Sequence, residues 1–563
     1  MISFFSFAIV CSSCGTSGEP TVKGFFSVLT IPDSALVGEP FGVAERNGKI
    51  FVSDGEKSEI KRMSEGNIVV FAQDLDTPSQ IVLDDAGSLV VADSGSHLIR
   101  RIAEDGTAEI IAGVQNESGF RDGNSGSALF SAPVGVAVAG DKIYVSDTYN
   151  DRIRVIENGQ VSTLAGSMQG FADGNGASAR FDTPLSLAMW GDRLLVADAG
   201  NRRIRVVEPD GRVWTLAGNG ERGLKDGFLL EASFVRPAAI AVSPEGVIYV
   251  ADGNAIRAIG RRSFPFVETI SGDREGFRDG APMAAQFNRP SGLAIDSNGR
   301  LFVADSDNGL IRVFETEPNV AADHVTPKVY TAEEFRNLQP PRWPYDPPEA
   351  KRDVAGTLGE IRGEYAYENS FVRFHNGLDI AGSYGETARF IRNEKVLDPM
   401  SAENFGTLRE LVRLPTIGYI HIRLGRDASD RPFGDPRFIF SNGIDGKLNG
   451  VRVPRGARFT AGEAIGTLNA MNHVHLIAGP TGQEMNALAA LTLPNVSDSI
   501  APTIENVSLF NENWHEIETQ TGVARIRLSG NTRIMVGVFD RMDGNPERRR
   551  LGVYRLGYQI FNE

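Results

Sequence analysis

A pattern of three or four short segments recurs six times between Pro40 and Glu315. Each unit starts with a proline and an apolar segment, as in PFGVAE and PVGVAVA, and its second segment ends in Val-Ser-Asp or Val-Ala-Asp. A third segment has an Ile-Arg or Ile-Lys core, and a fourth, such as VSTLAG, closes most units. Four strand-like segments in units of about 40 to 50 residues are typical of propeller blades. The repeat therefore predicts a mainly β protein that begins with a propeller.

These units resemble the NHL-repeat family, and the resemblance implies a six-bladed NHL-type β-propeller over residues 24–317. The prolines that start the units are Pro40, Pro78, Pro133, Pro184, Pro237 and Pro290. The sixth unit lacks a fourth segment after LIRVFE, whereas GFFSVLTI at 24–31 precedes the first unit. We therefore expect this N-terminal strand to complete the last blade and close the ring.

Each unit carries an aspartate at the end of its second segment: Asp54, Asp93, Asp147, Asp198, Asp252 and Asp305. Carboxylates bind hard cations, but an aspartate after a strand commonly caps a turn by accepting hydrogen bonds from backbone amides. Six equivalent copies favour the structural role, so we expect these residues to stabilise the blades.

The first 20 residues, MISFFSFAIVCSSCGTSGEP, contain both cysteines of the chain. An apolar run followed by small residues is typical of an export signal peptide. CSSCGTSGEP also resembles a bacterial lipoprotein signal in which Cys14 is lipidated. Plain secretion and a mis-assigned start are the alternatives. We expect a protein of the bacterial cell envelope, either periplasmic or an outer-membrane lipoprotein, or else secreted.

Charge and hydropathy restrict the partners of the chain. The formal net charge is −15, whereas nucleic-acid binding needs a basic surface, so we expect no nucleic-acid partner. No later run reaches the ~20 apolar residues that a transmembrane helix needs. A lipid anchor, and not a transmembrane helix, is therefore the expected membrane contact.

Three regions follow the repeat. Residues 318–345, with QPPRWPY, predict a semi-rigid linker with a short helix near TAEEFRNL. Residues 346–496 are expected to form a separate domain. Residues 497–563 contain alternating segments such as TRIMVGVFD, which predict an immunoglobulin-like β-sandwich module. We expect that module to be incomplete at residue 563.

The domain at 346–496 holds four of the seven histidines of the chain. They lie in three clusters: FHNGLDI with His375 and Asp379, GYIHIRLG with Tyr419 and His421, and NHVHLI with His473 and His475. Side chains two positions apart on a strand face the same side. His473 and His475 should therefore point together, and the same spacing places Tyr419 beside His421.

The first cluster can contribute two ligands to one metal only if the chain bends. His375 and Asp379 would lie about 13 Å apart on an extended strand, and Asn376–Gly377 supplies a permissive place for a bend. Imidazoles and a carboxylate suit zinc, and catalytic zinc typically keeps three protein ligands with a fourth position for water. A nearby histidine can take the proton of that water.

The motifs H-x-G-x-D, Y-x-H and H-x-H, in this order, resemble the lysostaphin-type (LytM-like) zinc endopeptidases, whose peptidase domain is built on antiparallel β-sheet. Carried over, this resemblance implies one zinc ion per chain held by His375, Asp379 and His475. It also implies that His421 and His473 are the catalytic pair that activates water and stabilises the charged intermediate. Tyr419 is a candidate on the substrate side.

The resemblance implies an exported zinc endopeptidase that cuts peptide bonds in peptidoglycan. The expected partners are peptidoglycan peptides, with a protein or glycan ligand on the propeller. The alternative is a non-catalytic envelope scaffold or regulator of cell-wall hydrolases, against which the intact ligand set counts. A lyase or carbohydrate binder centred on the propeller is a third, less favoured possibility.

Overall fold

The computed structural model describes residues 24–32, 37–64, 67–261, 265–318, 325–362, 373–443, 445–517, 531–547 and 549–552. The predicted signal and Cys14 lie outside these residues. Strands dominate the described chain, and its two α-helices are short: α1 at Ala332–Arg336 and α2 at Ala487–Ala490. The predicted mainly β class is confirmed. Within the same residues, no helix has the length and apolar character to cross a membrane.

Six antiparallel sheets follow one another along the repeat region. The sixth sheet includes the N-terminal strand β1 (Ser27–Thr30). The first two contain β2 (Pro40–Arg46), β3 (Lys49–Asp54), β4 (Glu59–Ser64) and β5 (Asn67–Ala72), then β6 (Pro78–Leu83), β7 (Leu89–Asp93), β8 (Leu98–Ile102) and β9 (Ala108–Ala112). The third contains β10 (Gly123–Asn124), β11 (Gly135–Ala139), β12 (Lys142–Asp147), β13 (Arg152–Glu157) and β14 (Gln160–Ala165).

The remaining three sheets repeat the same order of strands. The fourth contains β15 (Gly174–Asn175), β16 (Pro184–Trp190), β17 (Arg193–Asp198), β18 (Arg203–Val207) and β19 (Arg212–Ala217). The fifth contains β20 (Gly227–Phe228), β21 (Pro237–Val242), β22 (Ile248–Asp252), β23 (Ala255–Arg261) and β24 (Pro265–Ser271). The sixth contains β25 (Pro290–Ile295), β26 (Leu301–Asp305) and β27 (Leu310–Glu315).

The first strands of the six sheets contact one another in a closed cycle. The first strand of each sheet lies against the first strand of the next sheet. The contacts run from β2 to β6, β6 to β11, β11 to β16, β16 to β21, β21 to β25, and β25 back to β2. Apolar clusters fill the spaces between neighbouring sheets. The arrangement is propeller-like, because each strand set buries its faces against its two neighbours.

The ring is closed by the N-terminal strand, as predicted. β1 pairs antiparallel with β27, with Val28 opposite Phe314 and Leu29 opposite Val313. Val28 is fully buried in the same apolar cluster as Phe314. The first and last segments of the repeat region therefore share one sheet and one core.

The repeated aspartates are structural, as predicted. Asp147 accepts a hydrogen bond from the backbone amide of Ser131 and pairs with Arg154, which is fully buried. Arg154 also pairs with Asp122, which belongs to the linker before β11. The same arrangement recurs in three further sheets, at Asp198, Asp252 and Asp305 with Arg205, Arg257 and Arg312. Each buried guanidinium thus contacts two carboxylates and backbone carbonyls.

The second half of the chain is built around a six-stranded and a three-stranded sheet. The six-stranded order is β28 (Val354–Gly356), β31 (Leu378–Ala381), β42 (His473–Ala478), β36 (Ile417–Ile420), β35 (Leu411–Arg413) and β34 (Ala402–Glu403). The three-stranded order is β32 (Thr387–Arg389), β41 (Ala464–Leu468) and β37 (Ile422–Leu424).

Four strand pairs complete the described architecture. They are β29 (Ile361–Arg362) with β30 (Arg373–Phe374), β33 (Glu394–Lys395) with β40 (Arg458–Phe459), β38 (Ile439–Asn442) with β39 (Leu448–Arg452), and β43 (Thr503–Phe510) with β44 (Arg533–Phe539). The immunoglobulin-like module stays a prediction, because its described residues contribute only the β43–β44 pair as regular sheet.

Part of the predicted linker belongs to the core of the second domain, which corrects the boundary at 345. Phe335, Trp343 and Tyr345 are fully buried in that core. The indole of Trp343 donates to the carbonyl of Pro494, and the Tyr345 hydroxyl donates to the carbonyl of Ile380. The predicted short helix is present as α1. Proline-rich composition did not reveal the apolar anchors, because their partners lie far along the chain.

The second domain covers one end of the ring of sheets. Arg455 is fully buried there, with a bidentate pair to Glu39, a hydrogen bond to the Ser79 hydroxyl and its guanidinium 3.9 Å from the centre of the Phe41 ring. Phe41 also clusters with apolar residues from other sheets and with Met400 of the second domain. The two halves of the chain therefore share a buried ionic and apolar interface.

Closure by β1 predicts a large effect of a charge at Val28. Val28→Asp should reduce the unfolding free energy by several kcal/mol, because the carboxylate would be buried without a partner. Phe26→Asp is the matched control, since Phe26 is 56% exposed on the same segment. Calorimetry measures both. A Val28→Asp melting temperature equal to that of Phe26→Asp would show that β1 does not hold the ring together.

Arg455 and Arg458 of the second domain each pair with one carboxylate of the repeat region, and we expect their replacement to change the unfolding free energy by different amounts. Arg455→Met should cost about 3–5 kcal/mol, because removing one partner of a buried pair leaves the other charge unsatisfied. Arg458 pairs with Asp76, yet its side chain is 54% exposed, so Arg458→Met should cost less than about 1 kcal/mol. Urea unfolding measures both losses. Equal losses would contradict the buried role of Arg455.

Candidate metal centre

The centre is built on two neighbouring strands of the six-stranded sheet. β31 and β42 pair antiparallel, and this register places Asp379 directly opposite His475. Residues opposite each other in an antiparallel pair have side chains on the same face. Ile380 and Val474, which adjoin Asp379 and His475 on the two strands, are buried in the core. Because successive side chains of a strand point to opposite faces, Asp379 and His475 lie on the other face.

His375 joins them from the segment between β30 and β31. Its Nε2 lies 3.0 Å from Asp379 Oδ1 and 2.9 Å from His475 Nδ1, and His475 Nδ1 lies 2.8 Å from Asp379 Oδ1. The chain therefore bends between His375 and Asp379, as their shared site required. The sequence motif is brought into a single buried triad that could hold one metal ion.

The donor set fits zinc. Tetrahedral zinc with bonds of about 2.0–2.1 Å needs ligand atoms about 3.3 Å apart, so a few tenths of an ångström of expansion would admit the ion. The Nδ1–H of His375 donates to the Thr357 carbonyl at 2.8 Å, which leaves the Nε2 lone pair for a metal. Such an outer contact is typical of histidine ligands.

Gly377 lets β42 approach the segment between His375 and Asp379, because it has no side chain. A Cβ at this position would lie 2.5 Å from His475 Nε2 and 2.4 Å from the Leu476 carbonyl oxygen. The glycine is therefore required by the close approach of β42, and not by a left-handed backbone. His475 Nε2 itself is buried and has no hydrogen-bond partner among the described residues.

The triad holds Asp379 in its ionised form. Burial opposes ionisation, but the surrounding imidazoles of His375, His475 and His473 outweigh it and hold the pKa of the Asp379 carboxyl well below its ordinary value. Burial lowers the pKa of the His475 imidazole, although Asp379 opposes this. A carboxylate with two neutral imidazoles is the protonation state in which all three bind a cation.

Two further histidines border the triad. The rings of His421 and His473 are 4.6 Å apart, and His473 Nε2 lies 3.5 Å from Asp379 Oδ1. Their Nδ1–H groups donate to the carbonyls of Leu408 and Met471, at 2.5 and 2.7 Å. Both rings are therefore fixed in the tautomer that leaves Nε2 free to accept a proton.

His421 occupies a strained position between two sheets. Its φ is +70°, and it separates β36 of the six-stranded sheet from β37 of the three-stranded sheet. Left-handed backbone at a non-glycine residue costs energy and is concentrated at functional sites. Burial lowers the pKa of the His421 imidazole to about 4, so the ring is neutral at neutral pH.

Tyr419 does not lie on the substrate side, which corrects the prediction from the Y-x-H spacing. Its side chain is fully buried in the core, and its hydroxyl accepts a hydrogen bond from the amide of Ile391. The alternation rule fails here because the strand ends at Ile420, and His421 starts a kink instead of continuing the strand. The motif thus combines one packing residue with one residue of the centre.

Sequence reasoning missed the residues that orient these rings. Thr357, Leu408 and Met471 act through backbone carbonyls, which leave no sequence signal. The loop that carries Leu408 is held by Glu410, whose carboxylate accepts hydrogen bonds from the Gly406 amide and from the buried guanidinium of Arg426. A buried Glu–Arg pair of this kind becomes visible only once the loop is folded.

A separate cavity of about 760 Å³ lies between the ring of sheets and the second domain. Its lining includes Glu39, Arg289 and Asp307 from the ring and Lys395 and Asp398 from the second domain. None of the five residues of the candidate centre, which are the triad with His421 and His473, lines this cavity. The cavity is thus distinct from the candidate metal centre.

Comparisons with known proteins support the repeat. A family model described as NHL repeat matches residues 287–314. NHL repeat-containing protein 2 of Homo sapiens is 29% identical over 279 residues, which cover 42% of this chain and 38% of that protein. The chain carries an NHL repeat within a propeller-like fold. Protein SUPPRESSOR OF QUENCHING 1, chloroplastic, of Arabidopsis thaliana is 27% identical over 343 residues, or 47% of this chain and 32% of that protein.

The chain spans about a third of the length of these relatives. Among solved structures, it is similar to a protein of unknown function from Bacteroides thetaiotaomicron VPI-5482, with 16% identity, a TM-score of 0.43, and coverage of 51% of this chain and 75% of that one. It is also similar to an auxiliary nutrient binding protein from Bacteroides ovatus ATCC 8483, with 14% identity, a TM-score of 0.40, and coverage of 51% and 76%.

The geometry predicts that the two histidines of H-x-H differ in their effect on zinc. His475→Ala should abolish zinc binding, because it removes one of three ligands, whereas His473→Ala should retain about one zinc per chain. Elemental analysis of purified, zinc-loaded variants measures the content. Full zinc in His475→Ala would refute this ligand assignment.

Proposed function

We propose that this protein is an exported, lysostaphin-type zinc endopeptidase that hydrolyses peptide bonds in peptidoglycan, and that its six-bladed NHL propeller carries the peptidase domain. The observation that carries the proposal is the convergence of five side chains from three separated motifs. His375, Asp379 and His475 form a triad with metal-ligand spacing, and His421 and His473 border it. Packing of an apolar core does not require five neighbouring histidine and aspartate side chains.

The residues of the chain divide the work of amide hydrolysis between them. Zinc, when bound, would act as a Lewis acid that polarises the scissile carbonyl and lowers the pKa of water to about 7. His421 Nε2 accepts the proton of the attacking water, because its Nδ1–H is held by Leu408 and its ring is neutral. His473 takes up a proton from solvent at Nε2, donates a hydrogen bond from it to the developing oxyanion and transfers it to the leaving amine. His421 then releases the water proton to solvent, which restores both rings.

Peptidoglycan is proposed as the substrate on two grounds, neither of which is structural. The motifs resemble those of cell-wall endopeptidases, and the N-terminal segment is typical of an export signal. Export would place the domain next to the cell wall. The propeller then serves to hold and orient the peptidase domain, as the buried Arg455–Glu39 pair supports.

The second candidate is a non-catalytic envelope scaffold or regulator. The cavity of about 760 Å³ between the ring and the second domain favours it, since clefts of this size commonly bind ligands. In this case the chain would recognise a protein or glycan at the domain junction, and the metal centre would have a structural role.

The proposal predicts zinc-dependent release of new amino termini from purified sacculi, followed by mass spectrometry. A chelator should abolish the release and added zinc should restore it. His421→Ala should lower turnover by about 10²–10⁴-fold with zinc content unchanged, because it removes the group that accepts the proton. His515→Ala is the matched control, since His515 is exposed and lies outside the 346–496 domain.

Two outcomes separate the candidate functions. Fully zinc-loaded protein that binds sacculi without releasing amino termini would overturn the peptidase proposal in favour of the scaffold. Equal turnover in His421→Ala and His515→Ala would leave the peptidase but remove His421 from its mechanism.

A further inference from the structure

The C-terminal part of the described chain is packed into the domain that contains the candidate metal centre. Met542 and Leu551 are buried in the same core as Trp343 and Tyr345. Asp540 and Leu551 pair with each other through their backbones. We call the following four residues the C-terminal clamp: Met542, Asn545, Leu551 and Gly552.

The clamp grips the strand and loop at residues 354–360 by polar contacts. The Asn545 side chain accepts from the Val354 amide at 3.1 Å and donates to the Val354 carbonyl at 2.9 Å. The Gly552 amide donates to Glu360 Oε1 at 3.0 Å, and the Thr357 hydroxyl donates to the Gly552 carbonyl at 3.3 Å. Side-chain amide pairing with both groups of one residue fixes the backbone in place.

The gripped loop in turn holds His375. The Thr357 carbonyl accepts from the His375 ring, and the Glu360 carbonyl accepts from the His375 amide at 2.7 Å. Glu360 Oε1 also accepts from the Thr357 amide at 2.8 Å, so one carboxylate oxygen joins Thr357 to Gly552. His375 is thus tied to the clamp through two residues.

We propose that the C-terminal clamp is a positioning element of the metal centre, which aims His375 Nε2 at Asp379 and His475 through Thr357 and Glu360. This inference rests on the proposed metal centre. It assigns to residues between 542 and 552 a part in metal affinity that their distance in sequence from His375 does not suggest. Outer contacts to histidine ligands typically contribute 10–100-fold to metal affinity.

Gly552 offers the most direct test of the clamp. A Cβ at Gly552 would lie 2.3 Å from Glu360 Cγ, so Gly552→Ala must displace Glu360 without altering any residue of the centre. Gly552→Ala and Asn545→Ala, each in the full chain, should weaken zinc binding about 10-fold or more. Glu360→Ala should do the same, whereas Glu360→Gln should recover most of the affinity, because its amide oxygen can still accept both amides.

The measurements are zinc affinity by chelator competition and the visible absorption spectrum of the cobalt-substituted protein, which reports ligand geometry. Glu505→Ala is the control, since it breaks an exposed pair with Arg550 on the same C-terminal part without touching residues 354–360. Its zinc affinity and cobalt spectrum should equal those of the parent. Thermal unfolding of each variant distinguishes loss of metal affinity from loss of the fold.

Parental affinity and an unchanged cobalt spectrum in both Gly552→Ala and Asn545→Ala would overturn the proposal and leave the clamp a packing element only. If Gly552→Ala unfolds, the comparison of Glu360→Ala with Glu360→Gln decides in its place. A parent chain that binds no zinc would overturn both the metal centre and the clamp. Weakened zinc binding in a protein that cleaves no peptide would sustain the clamp and refute the peptidase.

Discussion

The antiparallel pairing of β31 with β42 is the constraint on which the candidate site depends. Its register places Asp379 opposite His475, and a slip of one residue would turn one of them into the core. Apolar burial on the opposite face holds this register, since Ile380, Val474 and Leu476 are buried there. The Tyr345 hydroxyl also stabilises this register, because it donates a hydrogen bond to the Ile380 carbonyl and accepts one from the Val474 amide.

Around this pair, the centre is oriented chiefly by backbone carbonyls. Three of its histidine rings donate Nδ1–H to carbonyls on three separate loops. Each loop is therefore as important as the ring that it holds. Two of them have identified supports, the Glu410–Arg426 pair for the loop of Leu408 and the C-terminal clamp for the loop of Thr357. A metal bound at such a centre would be sensitive to residues that never contact it.

The ring of sheets and the second domain are also joined by polar groups out of water. Arg455 and Glu39 are 416 residues apart in sequence, yet their charges meet in a buried bidentate pair. Desolvating such a pair is costly unless every donor is satisfied, and here Ser79 and backbone carbonyls complete the set. The interface therefore favours one specific relative placement of the two halves.

Local pattern in the sequence sufficed for the repeat, the closing strand β1, the short helix α1 and the three histidine motifs. These follow from neighbours in the chain, because strand alternation, repeat period and turn residues are local properties. The tertiary structure alone decided that Tyr419 is buried, that Trp343 and Tyr345 belong to a core and that Gly552 reaches Glu360. Those features depend on contacts between segments that are far apart in sequence. A local pattern carries no information about which distant segments will meet or how strongly they interact.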